Sequence, residues 1–171
     1  MTTLQKLKSA TAIAMYCIAF TVPTFSYAQT IVIEHDGNSA HGVVTDAGTI
    51  TAKHVGGLEH DFYSEAMDII IDTDSKSESG FTTSDKAPKY FIDRRGTRHQ
   101  LNVIGNLDFQ TLVSIRFYFG ESGMPVFGDD GSVVGIVLGN AFIRGRWRGR
   151  ISRVTPIVDF SRTHLKRCER N

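Results

Sequence analysis

The sequence predicts an all-β fold built from many short strands, and three observations predict it. Apolar stretches are short and β-branched, as in Ile69-Ile70-Ile71 and Val133-Val134-Gly135-Ile136-Val137. Turn-forming clusters separate them, as in Asp46-Ala47-Gly48 and Gly128-Asp129-Asp130-Gly131. Beyond residue 29, only Asp159–Cys168 has a helical pattern.

The elements follow in chain order once the first residues are set aside. Lys6 and Lys8 precede an apolar run from Ala10 to Val22, broken only at Thr11 and Thr21, and Ser26-Tyr27-Ala28 forms a small-x-small cleavage pattern. That is the make-up of an export signal, too short to span a bilayer comfortably. The expected mature chain begins at Gln29, is periplasmic or secreted, and has no stable membrane insertion after cleavage. Residues 29–171 suffice for one domain with a core. Cleavage removes Cys17 and leaves Cys168, so no internal disulfide is expected.

Ile31–Ile33 reads as an opening strand, and Gly42–Val44 and Thr49–Thr51 as a hairpin turning through Asp46-Ala47-Gly48. Ile69–Ile71 is another strand. The polar stretch Thr73–Lys86 reads as an exposed loop between two half-domains, about 29–80 and about 87–158. Strands are then expected at Tyr90–Ile92, Leu101–Ile104 and Thr111–Phe119. A hairpin of Pro125–Phe127 and Ser132–Leu138 comes next, and a short helix over Asp159–Cys168 ends the series.

Total charge is nearly balanced, with 19 Lys and Arg against 18 Asp and Glu. Its distribution is lopsided. Residues 141–171 hold nine bases against Asp159 and Glu169, so the preceding part is acidic and the two regions attract each other. Within the basic part, Arg144-Gly145-Arg146-Trp147-Arg148-Gly149-Arg150 alternates with period two, which on a hairpin puts the arginines on one solvated face. Two further readings stay open, a stacking surface for nucleic acid and a site for acidic side chains of a protein substrate. Nucleic acid is not an expected partner of an exported protein.

Gly120-Glu121-Ser122-Gly123-Met124-Pro125 frames a serine with glycines, a sharp turn that presents its hydroxyl. In such a turn the Gly120 and Ser122 amides can converge on an oxyanion. The hairpin Gly42–Thr51 leads through Ala52-Lys53 to His54, where an imidazole can take and return the serine proton, worth ~10²–10⁴-fold. A carboxylate must then orient that ring. Asp68, directly before Ile69-Ile70-Ile71, is preferred over Asp61 and Asp72.

The serine segment resembles the Gly-Asp-Ser-Gly-Gly-Pro block of trypsin-like serine peptidases, and the segment ending at His54 resembles their Thr-Ala-Ala-His block. The order His54, Asp68, Ser122 is that of the chymotrypsin clan. Closest in motif are the alphavirus capsid peptidases, through Val133-Val134-Gly135-Ile136-Val137-Leu138-Gly139. This resemblance implies a chymotrypsin-like double β-barrel and a serine endopeptidase with His54, Asp68 and Ser122 as triad. Gly120 and Ser122 would form its oxyanion hole, and Leu138, Gly139 and Asn140 would hold an extended protein or peptide substrate. It implies no metal and no organic cofactor. Glu121, Met124 and Lys53 depart from the family pattern, and only 14 positions separate His54 from Asp68. A catalytically inactive scaffold acting as an exported protein-binding module is the alternative.

Overall fold

A computed structural model describes residues 30–58, 60–75, 77–78, 80–107, 109–154 and 166–167. The export signal and Cys168 lie outside these residues. Thirteen strands and one 3-10 turn make up the described chain, arranged in two sheets.

The first sheet holds β1 (Thr30–His35), β2 (Asn38–Thr45), β3 (Gly48–Ala52), β4 (Phe62–Ser64), β5 (Ile69–Asp72) and β13 (Lys166–Arg167), in the order β1-β2-β3-β5-β4-β13. The second holds β6 (Tyr90–Ile92), β7 (Arg98–Gln100), β8 (Val103–Leu107), β9 (Gln110–Val113), β10 (Pro125–Phe127), β11 (Val133–Ile143) and β12 (Arg146–Arg153). Its order is β7-β6-β10-β11-β12-β9-β8. All named strand pairs are antiparallel.

The all-β expectation holds, with corrections at particular elements. Lys166–Arg167, inside the expected C-terminal helix, is strand, pairing with Tyr63 and Phe62 of β4. The rest of that helix falls outside the described residues. The run Thr111–Phe119 stops being strand at Val113. Beyond it the chain bends, and Ile115 instead accepts the Gly149 N–H of β12 at 2.7 Å. Strands β4 and β7 come in addition to those expected.

Thr73–Lys86 does more than an exposed loop would. Phe81 donates to Val44 and accepts from Asp46, each at 3.1 Å, while Ser84 N–H reaches Val133 O at 3.0 Å and Val133 N–H reaches Thr82 O at 2.8 Å. The segment therefore fastens β2 of one sheet to β11 of the other. Beneath it lies a core drawn from both sheets, with Val43, Ile50, Met67, Ile69 and Ile71 against Tyr90, Phe127, Val133, Ile136 and Leu138. A second core, including Phe91, Val113, Phe117, Met124, Val126, Val137 and Ile151, belongs to the second sheet. Each fully buried Val, Ile or Phe contributes roughly 1.5–3 kcal/mol, so these two clusters hold the sheets in shape.

Candidate active site

Antiparallel pairing brings His54 and Asp68 together. Ala52, the last residue of β3, faces Ile69, the first of β5, so the residues just beyond both strand ends are neighbours in space. The 14-position interval is thereby accommodated, with β4 folding back along β5 inside it. Lys53 N–H donates to Asp68 O at 2.9 Å, and His54 sits in the 3-10 turn Lys53–Val55. Asp68 adopts φ +56°, a left-handed conformation that Asp tolerates better than most residues. Its carboxylate then grips His54 twice, accepting from the backbone N–H at 3.1 Å and from Nδ1–H at 2.7 Å. An ionised carboxylate only accepts, so Nδ1 carries the proton and Nε2 is left as acceptor.

The other two candidate carboxylates face elsewhere. Asp61 accepts from both the N–H and the hydroxyl of Thr73, at 2.9 and 2.6 Å, and Asp72 accepts the Asp74 N–H at 3.1 Å. Lys53, the departure beside the histidine, is drawn aside by Glu65 at 2.8 Å.

Ser122 arrives from the second sheet. Gly120 and Gly123 take φ +84° and +83°, the region a turn of this sharpness requires and glycine adopts freely. A side chain at Gly123 is impossible: its Cβ would sit 1.6 Å from His41 O. The turn is tied on both sides, with Gly123 N–H to Val137 O at 2.8 Å and His41 N–H to Ser122 O at 2.8 Å. So held, Ser122 Oγ lies 3.2 Å from His54 Nε2. The three side chains form one hydrogen-bonded line, Asp68 to His54 to Ser122.

Gly120 and Ser122 flank the same turn, and among the described residues neither of their N–H groups has a protein acceptor. His41, which the sequence reading passed over, fixes this turn from behind. Its Nδ1 lies 2.9 Å from the Gly120 carbonyl, and its own carbonyl accepts the Thr51 hydroxyl at 2.6 Å. Burial lowers the His41 pKa, partly offset by the Gly120 contact, so the ring is neutral at pH 7 and donates through Nδ1–H. Nothing local in the sequence sets it apart from the other five histidines; only the β2–β3 register, Gly42 opposite Thr51, reveals it. Glu121 is buried, its Oε2 accepting the Tyr118 N–H at 2.6 Å, and desolvation raises its pKa.

His54 and Ser122 open onto a cleft of about 540 Å³, lined also by Asn38–Ala40, Val55, Arg116–Gly120, Gly139 and Asn140, with Asp68 behind the histidine. Of the expected substrate-binding residues, Gly139 and Asn140 line it. Leu138 does not; its side chain is 2% exposed and packs in the shared core. Asn140 acts as a brace, accepting the Phe117 N–H at 2.9 Å and donating to Phe117 O at 2.8 Å.

The two sheets and their strand orders define a chymotrypsin-like double β-barrel fold. Solved structures of the same fold include the serine protease of a human pathogenic astrovirus, with 17% identity, TM-score 0.54, and coverage of 77% of this chain and 92% of that one. The tobacco etch virus protease complexed with product is similar at 13% identity and TM-score 0.52, over 81% of this chain and 78% of its own. An M. tuberculosis protease in an inactive form follows at 13% identity and TM-score 0.51, over 76% and 83%. No family model matches the sequence, and no curated protein matches it by sequence.

Proposed function

We propose that the chain is a serine endopeptidase, and the observation that carries this reading is the line from Asp68 through His54 to Ser122, at 2.7 and 3.2 Å. Ser122 Oγ attacks the scissile carbonyl while His54 Nε2 takes the hydroxyl proton. The carbonyl oxygen, now negative, is met by the Gly120 and Ser122 N–H groups, and preorganised donors of this kind are worth about 3 kcal/mol each. The C–N bond breaks as Nε2–H protonates the departing amine. Water, deprotonated by the same nitrogen, then hydrolyses the Ser122 ester. Asp68 stays ionised throughout and holds the imidazolium in place.

The fold shared with viral and bacterial proteases supports a protein or peptide as substrate. Gly139 and Asn140, at the cleft wall on β11, suit an extended segment added alongside the sheet. The likeness to the alphavirus capsid peptidases, good from about Gly120 to Asn140 and weaker around Gly42 to Val55, is carried by the sequence alone. Export is part of the proposal: N-terminal sequencing of the secreted or periplasmic protein is expected to begin at Gln29.

A fluorophosphonate probe tests the central reading. The full-length chain is expected to label, and Ser122→Ala to lose both labelling and turnover, the latter by about a millionfold. A folded wild-type protein that does not label would overturn the enzyme and leave a binding module on the same scaffold.

A further inference from the structure

We infer that the cleft selects an acidic side chain of its peptide substrate and that Arg116 is the residue that reads it. The inference rests on the peptidase reading of the cleft. The lining contains no carboxylate; its titratable members are Arg116, His54 and Tyr118, of which Arg116 is the permanent cation. Among the described residues Arg116 has no carboxylate partner, and it is an exposed member of the cleft lining. A cation in a concave site without a counter-ion favours an anionic ligand, and its planar fork suits a carboxylate held by two hydrogen bonds.

The guanidinium is also held in readiness. Both neighbours of Arg116 are anchored, Ile115 through its carbonyl to Gly149 N–H at 2.7 Å and Phe117 through the two Asn140 hydrogen bonds. Phe117 can sit so close to β12 only because Gly149 lacks a side chain; a Cβ there would approach its ring to 2.6 Å. On this fixed backbone the Arg116 guanidinium lies 5.5 Å from the Trp147 ring, within cation–π range. Trp147 is steadied in turn by Phe142, its cross-strand partner, with ring centroids 5.4 Å apart. Ordering that would otherwise accompany substrate binding is thus largely complete beforehand.

A peptide fits better than a nucleic acid. Strand alternation puts Arg146, Arg148 and Arg150 on the face of β12 opposite Trp147, so the basic run does not continue the Arg116 side of the cleft. One isolated cation reads one side chain, whereas a polyanion needs a track of them.

Binding is measured on full-length Ser122→Ala, so that it does not depend on turnover, with fluorescent alanine-based peptides carrying Glu, Gln or Lys at one position. The Glu peptide is expected to bind about tenfold or more tightly than Gln, a margin of about 1.4 kcal/mol, and Lys more weakly still. The margin shrinks as salt is raised, disappears in Arg116→Gln and is partly kept in Arg116→Lys. Equal binding of Glu and Gln peptides, or a Glu preference that survives Arg116→Gln, would overturn the inference. So would a single-stranded oligonucleotide that displaces the Glu peptide at the same concentration. Fluorophosphonate labelling of the unmutated chain is read separately, so a failed preference and a failed peptidase are told apart.

Discussion

At the scale of single residues, Asp68 meets His54 at both its ring and its backbone, so it controls which nitrogen holds the proton as well as where the ring lies. Asp68→Asn keeps the size and can still bond the backbone N–H, but its amide can force the opposite tautomer. We expect turnover to fall by about 10⁴-fold while thermal unfolding changes little, a contrast that kinetics and calorimetry on one sample can check. His41 carries a different signature. Burial depresses its folded pKa below 6.5, so as pH falls below that value the unfolded chain takes up a proton before the folded chain does. This contribution to stability is present above the window and lost below it. Glu121 has the reverse sign, because its raised pKa favours the folded state below 4.5 and loses that advantage as pH climbs through the folded value. Melting temperatures should therefore lose less in His41→Asn than in the unmutated chain as pH falls below 6.5, and lose less in Glu121→Gln as pH rises from 4.5.

At the scale of elements, the strip Ile115–Phe117 is bound to β11 and β12 by hydrogen bonds rather than by strand pairing, and Gly149 makes room for it. Gly149→Ala would press into the Phe117 ring, the Val113 side chain and the Ile115 carbonyl. A loss of roughly 1–3 kcal/mol is expected, read as a lower urea midpoint with an unchanged slope. This strip also marks where sequence reading stopped short. Thr111–Phe119 is an apolar and aromatic run interrupted only at Ser114 and Arg116, and nothing in its pattern reveals that backbone partners change after Val113. Strand β7, Arg98-His99-Gln100, carries no apolar alternation; pairing with β6 alone makes it a strand. Lys166 and Arg167 favour helix by intrinsic propensity, yet the edge of β4 recruits them. By contrast β3, β5, β10 and the start of β11 were legible, since β-branched side chains facing a core on a pleated surface leave a pattern in the chain itself. The glycine-framed serine and the histidine after its hairpin were legible for a related reason: each needs a backbone conformation that few residues permit.

At the scale of the whole molecule, His54 and Asp68 come from the first sheet and Ser122 from the second, and what aligns them is the core and the Phe81–Ser84 segment shared by both. The sequence could order the three residues along the chain, but their convergence depends on contacts such as Phe81 with Val44, which no local pattern encodes. Phe81 also packs edge-on to Phe127 at 5.2 Å. Phe81→Ala is expected to cost about 3 kcal/mol or somewhat less, since the ring is only partly buried, and to reduce labelling at Ser122 although the substitution touches no side chain of the line. Because Ser122 and His54 sit on opposite sides of a seam, labelling under the proposed function would report how well that seam is closed. In a urea titration, labelling should therefore fade at concentrations where circular dichroism still registers intact strands, making the protein's chemistry an early gauge of slippage between its two halves.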